Sequence, residues 1–382
     1  MNPSTRSALT RRAVLAAGVA AVPLLASRPA SAAGTFPDPG PNVPIQATIG
    51  YDDMIRELGR IERSSRFGVT VKTLREIGIS PGVSEAGRDL YVATVGTGPK
   101  HVWLQGRIHG NEPYGVDTLL TLLSAVGSNG AAGYRAIREA LTLHVIPMYN
   151  PDGTELNIRQ TVLQDGTERR IDLNRDWAPT AFAAAESVAW YTYWTQVKPV
   201  FGLDIHHQGL KRDTNGDVVT MSLGISLAPS GPTLPTVLGG LYDRQTRQAQ
   251  GLVYTSLQRY GFVEVDRYQV GTYEIDIKGG VSSAVMLGLN WGNLNPTGHS
   301  HPMVFFETSG NTSPGSIGQK ARGKAIRQNV IGASELLQGL ATGSVWSTDR
   351  MIWHEEIPHV DYTGYLSDDN AIITPWPTRP PL

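Results

Sequence analysis

Apolar residues along this chain fall at helical spacing in some stretches and run together in others. Met54, Ile55, Leu58 and Ile61 recur three and four apart, which predicts a helix over residues 51–65. The same period runs through 115–126, the alanine-rich stretch 178–196, 234–260 and 319–340. Short apolar runs at 90–95 and 102–107 flank Gly96-Thr97-Gly98-Pro99 and read as strands around a turn. Residues 141–148 read as a strand that ends in the turn signal Asn150-Pro151-Asp152-Gly153. Further strands are predicted at 200–206, 218–227 and 303–306. Strands alternating with helices imply a single α/β domain with a mixed, largely parallel central sheet flanked by helices. Ligands gather at the carboxyl ends of strands in such sheets, so polar residues at those ends are the candidates for chemistry.

The first 32 residues break this pattern. Thr10-Arg11-Arg12 precedes an apolar run over 13–26, and Ala30-Ser31-Ala32 offers a small-residue cleavage site. This layout predicts a signal peptide of the twin-arginine type and an extracytoplasmic destination, secreted or periplasmic. The run falls short of the ~20 apolar residues a membrane span needs, so no anchor is expected after cleavage. Residues 33–44 read as an extended linker, 45–343 as the catalytic domain and 344–382 as an extension packing on the domain surface. Composition narrows the chemistry. A formal net charge of -1 among 382 residues gives no basic excess, which argues against nucleic acid as a partner. The chain has no cysteine, so disulfides, thiol nucleophiles and thiolate metal sites are excluded. Any metal must be held by His, Asp or Glu, a donor set that suits zinc.

Four short segments carry candidate residues. His109-Gly110-Asn111-Glu112 follows a strand, and Gly110 permits the turn that lets two ligands three residues apart converge. In Leu203-Asp204-Ile205-His206-His207, strand alternation puts Asp204 and His206 on one face and the apolar residues on the other. His207 falls on the apolar face, so His206 is the preferred ligand, with Asp204 as the carboxylate that orients its ring. Glu307 closes the apolar run Phe305-Phe306, where partial desolvation raises a carboxyl pKa toward general-base values. Asp172-Leu173-Asn174-Arg175 offers a guanidinium and an amide able to grip a carboxylate. His354-Glu355-Glu356-Ile357-Pro358-His359 is set aside, because its spacing is wrong for a zinc helix and Pro358 disrupts one.

Taken in order, H-x-x-E, N-P-D-G, D-x-N-R, D-x-H and a strand-end Glu, these segments resemble the zinc carboxypeptidases of the carboxypeptidase A type, over about residues 51–340. The resemblance implies a secreted zinc metallocarboxypeptidase acting on peptides with a free C-terminal carboxylate. It implies Zn2+ held by His109, Glu112 and His206, with Glu307 as general base and acid. Asn174 and a buried Arg175 would bind the terminal carboxylate, Asp172 would orient His109, and Arg159 would stabilise the oxyanion, with Arg169 and Arg170 in the same loop. Tyr273 is the nearest match to the substrate-capping tyrosine, with Tyr268 behind it. The chain departs from the pattern at Asn111, where the pancreatic-type enzymes have Arg, and at Gln208, where a Tyr is usual. His-Gly-Asn-Glu also occurs in related acyl-amino-acid deacylases, so a zinc deacylase or cell-wall amidase is the alternative reading. A non-catalytic peptide-binding module is the alternative of another class.

Overall fold

The computed structural model describes residues 49–176, 182–208, 211–212, 217–225, 238–268, 299–309, 319–359, 365–366 and 372–373. The predicted signal peptide and linker (1–44) and Tyr273 lie outside the described residues. Eight strands form one sheet: β1 (Thr70–Thr73), β2 (Tyr91–Val95), β3 (Lys100–Gly106), β4 (Leu141–Ile146), β5 (Phe201–Gln208), β6 (Met221–Ile225), β7 (Val265–Arg267) and β8 (Met303–Ser309). Their order is β1-β2-β4-β3-β5-β8-β6-β7. The four central strands β4, β3, β5 and β8 are mutually parallel. Antiparallel pairings join β2 to β4, β1 to β2 and β6 to β8, and β7 lies parallel to β6. The sheet is therefore mixed and mostly parallel, as the alternation of elements predicts.

The helices of six residues or more among the described residues are α1 (Tyr51–Ser64), α2 (Tyr114–Ser128), α3 (Ala132–Ala140), α4 (Pro151–Leu156), α5 (Ala185–Val197), α6 (Leu241–Leu257) and α7 (Gln319–Thr342). Side chains alternate across the central strands and feed two cores. Val102, Leu104, Leu203, Ile205, Val304 and Phe306 join Leu58, Leu119, Val253 and Leu336 of α1, α2, α6 and α7. Trp103 and Met303, from the other face, pack with Trp190 and Trp194 of α5. Asp204, His206 and Glu307 share the α5 face by the same alternation. Because β3, β5 and β8 run parallel, their carboxyl ends lie side by side, and the candidate residues sit there.

Several boundaries differ from the pattern-based expectation for identifiable reasons. Asn150-Pro151-Asp152-Gly153 is not a turn but the start of α4. The Asn150 side chain caps it by accepting from the Gly153 N–H at 2.8 Å, and Pro151 takes the first helical position, where no N–H is required. The strand before it stops at Ile146. The expected strand over 218–227 divides: Val218–Val219 pairs with Lys211–Arg212 in a separate ribbon, while β6 joins the sheet. β8 runs on to Ser309, so Glu307 lies inside the strand rather than at its end. The extension does not begin as a surface layer: Val345, Trp353 and Ile357 are buried within the larger core.

Glu186, in the first turn of α5, is fully buried. Its Oε1 accepts from Thr161 Oγ1 at 2.8 Å, while Oε2 has no hydrogen-bond partner among the described residues. Burial, with the nearby charge of Asp152 adding, pushes its pKa up to about 8 from 4.5. The folded state therefore keeps a proton that the unfolded chain releases. The stability this contributes is complete below the unfolded pKa of 4.5 and is lost as pH rises toward about 8. Glu186→Gln mimics the protonated form. Urea unfolding should show the variant gaining at least about 1 kcal/mol on the wild type between about pH 5 and about pH 9. A pH-independent difference would show that Glu186 does not titrate in this window.

Candidate metal and catalytic site

His109, Glu112 and His206 converge from two segments. His109 and Glu112 lie on the turn that leads from β3 into α2, and His206 points from β5 beside them. One ligand atom from each of the three falls within 4.8 Å of the others, and all three residues are buried. The Nδ1 atoms of both imidazoles face the Glu112 carboxylate, His109 at 2.7 Å and His206 at 3.1 Å. Each Nε2 faces a different carboxylate: Asp172 Oδ1 lies 3.4 Å from His109, and Asp204 Oδ2 lies 2.9 Å from His206. Carboxylates behind both rings fix which nitrogen points inward, as they do in metal centres. Asp204 is thus where strand alternation puts it. His207 stacks on Tyr114 at 4.3 Å instead, and its backbone N–H donates to Glu112.

The charges tighten one another. Burial alone would raise the Glu112 pKa, but His109 and His206 hold it well below the ordinary range. Burial would likewise lower His206, yet Asp204 and Glu112 lift it well above 6.5. Two nitrogens and one carboxylate converging in a buried space form a donor set that fits a divalent ion such as zinc.

The remaining residues gather around this triad. The β5–β8 pairing sets Glu307 directly opposite His206. Burial pushes the Glu307 pKa up to about 7; His206 opposes the shift and Glu112 adds to it. Arg159 pairs through Nε with Asp172 Oδ2 at 3.0 Å, and its Nη1 lies 3.6 Å from Glu112. Arg169 and Arg170, the other arginines of that loop, are exposed. Asp172 also accepts from the Asn174 N–H at 2.9 Å, fixing the single helical turn Leu173–Arg175. Asn174 is buried, but Arg175 is exposed, with Nη1 donating to the Asn174 carbonyl at 2.7 Å. A buried Arg175 was the expectation. The one-turn helix ends at Arg175 itself and leaves this residue exposed to solvent instead.

Pattern reading missed the supports. Trp103 Nε1 donates to Gln105 Oε1 at 2.7 Å, and Gln105 Nε2 donates to Asp204 Oδ2 at 2.8 Å, so a buried hydrogen-bonded line runs along the sheet to His206. An amide inside the apolar run of β3 was its only signal in the sequence. Arg107, fully buried and at φ 55, donates from Nε to the Gly110 carbonyl at 2.9 Å and braces the metal turn. A Cβ on Gly110 would lie 2.0 Å from the Gly153 carbonyl carbon, so Gly110 serves a close backbone approach as well as a turn.

Comparison with known proteins points to one family. The family model described as zinc carboxypeptidase matches residues 76–197. Probable carboxypeptidase 2 of Arthroderma benhamiae is 31% identical over 105 residues, which cover 28% of this chain and 18% of that protein. The match therefore spans a minor part of that curated relative. The metallo-carboxypeptidase from Burkholderia cenocepacia superposes with a TM-score of 0.52 at 18% identity, covering 77% of this chain and 69% of that one. Carboxypeptidase A from Helicoverpa armigera gives 0.53 at 14% identity, covering 77% and 73%. At such identities the superpositions speak for the fold. The resemblance to zinc carboxypeptidases and the α/β fold it implies are borne out.

Metal analysis of the purified protein should find about one zinc per chain, bound by the three protein ligands usual for a catalytic site. Asp204→Asn should weaken zinc binding, measured by competition with a chelating dye, by about 10–100-fold. Undiminished affinity would mean that the Asp204–His206 contact does not tune the metal.

Proposed function

We propose that this chain is a zinc metallocarboxypeptidase that hydrolyses the C-terminal peptide bond of peptides. The observation that carries the reading is the convergence of His109, Glu112 and His206 with Glu307 in register beside His206. In this reading the three converging residues hold zinc. Zinc, when bound, supplies Lewis-acid polarisation of the scissile carbonyl and makes water acidic enough to react near neutral pH. Glu307, whose burial favours a pKa near neutrality, takes a proton from the attacking water and returns it to the leaving amine. Arg159, set by Asp172, faces the oxygen on which negative charge develops. Asn174 and Arg175 bind the substrate's terminal carboxylate, which restricts cleavage to the last residue. The exposure of Arg175 suits this role, because the substrate can reach it from solvent. Tyr273 is proposed as the residue that caps the bound substrate.

The exopeptidase part of the reading is tested with one peptide in two forms, free acid and C-terminal amide. The wild type should cleave the free acid far faster. Arg175→Ala should lose most of that preference, and Glu307→Gln should lower turnover on either form by about 10²–10⁴-fold. Equal cleavage of both forms by the wild type would replace the carboxypeptidase reading with an amidase or deacylase.

We further propose export through the twin-arginine route, on the strength of Arg11-Arg12 ahead of the apolar run and Ala30-Ser31-Ala32. No helix of the described residues is long and apolar enough to cross a membrane. Replacing Arg11 and Arg12 together by Lys should retain the protein in the cytoplasm in a fractionation experiment; unchanged export would point to the general secretory route.

A further inference from the structure

The register of the sheet places two aromatic rings beside the residues that converge on the metal site. Phe305, Glu307 and Ser309 alternate onto the metal-bearing face of β8. The pairings set Phe305 between Asp204 and Gly224, and Glu307 between His206 and Ser222. Gly224 makes room for the Phe305 ring: a Cβ there would lie 1.9 Å from Phe305 Cζ. The ring thus lies along the sheet just below Glu307. It meets His206 edge-on at 6.1 Å on one side and Tyr268 edge-on at 5.4 Å on the other. Tyr268 follows β7, and its N–H donates to the Leu223 carbonyl at 2.7 Å, which anchors it opposite this pair.

The Tyr268 phenol stands among the charged groups of the site. Burial raises its pKa, Glu307 and Glu112 add to the rise, and Arg159 and Arg175 oppose it. On the carboxypeptidase reading, on which this inference rests, the terminal residue is held with its carbonyl at the metal triad and its carboxylate at Arg175. Its side chain then projects into the region that Tyr268 and Phe305 line. The polar groups next to them are already engaged with one another. Ser222 Oγ donates to Asp266 Oδ1 at 2.5 Å, and Gln208 Nε2 reaches Ser222 Oγ at 2.7 Å and Ser309 Oγ at 3.0 Å. Tyr268 and Phe305 themselves carry no charge toward a substrate side chain.

We infer that Tyr268 and Phe305 make this enzyme selective for a small, uncharged C-terminal residue. A bulky side chain would need one of the two rings to leave its packed position, and a basic one would meet two uncharged rings. The two rings set the size limit, and Gly224 is what allows Phe305 to do so.

The experiment measures kcat/KM on zinc-loaded full-length protein with N-blocked peptides identical except for the last residue: Gly, Ala, Leu, Phe or Lys. Wild type should favour Ala or Gly over Leu, Phe and Lys by about 10-fold or more, the scale that a tight pocket imposes on extra methylenes. Tyr268→Ala should raise the Leu-to-Ala and Phe-to-Ala ratios by about 10-fold or more. Phe305→Leu, a milder change to the same floor, should move the ratios in the same direction. A wild type that prefers Leu, Phe or Lys overturns the size selectivity and leaves the carboxypeptidase reading intact, as do ratios unmoved in both variants. A wild type that releases no terminal residue from any member of the series removes both.

Discussion

One carboxylate joins the parts of this site. Asp172 faces His109 Nε2, pairs with Arg159 and caps the turn that carries Asn174 and Arg175. These groups come from separate segments that meet at that side chain. It holds a metal-binding imidazole, a cation near the reacting bond and the residues proposed to grip the substrate's end in one fixed arrangement. Its pKa is held far below the ordinary carboxylate value by His109, Arg159 and Arg175, although burial acts against this. Such a group stays ionised at any working pH. The geometry it sets does not depend on the protonation changes that occur beside it.

That fixity matters because the surroundings are crowded with like charge. Glu112 and Asp172 lie close to the strand residues Asp204 and Glu307 around the two imidazoles, and water is largely excluded from them. In a buried space each carboxylate needs a counter-charge or a donor. Two imidazoles, Arg159, Gln105 and a backbone N–H supply most of these. Glu307 receives the least compensation, and it is the carboxyl whose affinity for a proton rises. The acid and base role proposed for Glu307 is compatible with this uneven sharing: its neighbours are neutralised by partners, while burial raises its own pKa.

Much of this was legible in the sequence where local periodicity and side-chain chemistry coincide. Alternation along 201–207 separated His206 from His207 and placed Asp204 behind it, because a strand leaves a side chain only two directions. The short spacing from His109 to Glu112 was readable for a similar reason, with Gly110 permitting the turn. The supports were not readable. Gln105 and Trp103 matter through a neighbouring strand almost a hundred residues away, and no local pattern encodes a register. The exposure of Arg175 escaped for another reason: it depends on a turn so short that hydrophobic periodicity says nothing about it. Asn150-Pro151-Asp152-Gly153 carries residues equally at home in a turn and at a helix start, and here the Asn150 side chain caps a helix.

The buried Trp353 alters what the end of the described chain does. It packs in the core that α6 shares, and Gln248 of α6 donates to the Trp346 and Thr348 carbonyls at 2.8 and 3.0 Å. Two residues along the same helix, Gln250 donates to the carbonyls of Gly224 and Phe305, on β6 and on β8, the strand that bears Glu307. The segment after α7 therefore acts as a brace on α6, and α6 in turn clamps the two strands. A boundary drawn at residue 343 from composition would cut through a mechanical linkage rather than trim an appendage. Loss of the Trp353 side chain would be felt first as loosened alignment of β8, the strand that carries Glu307.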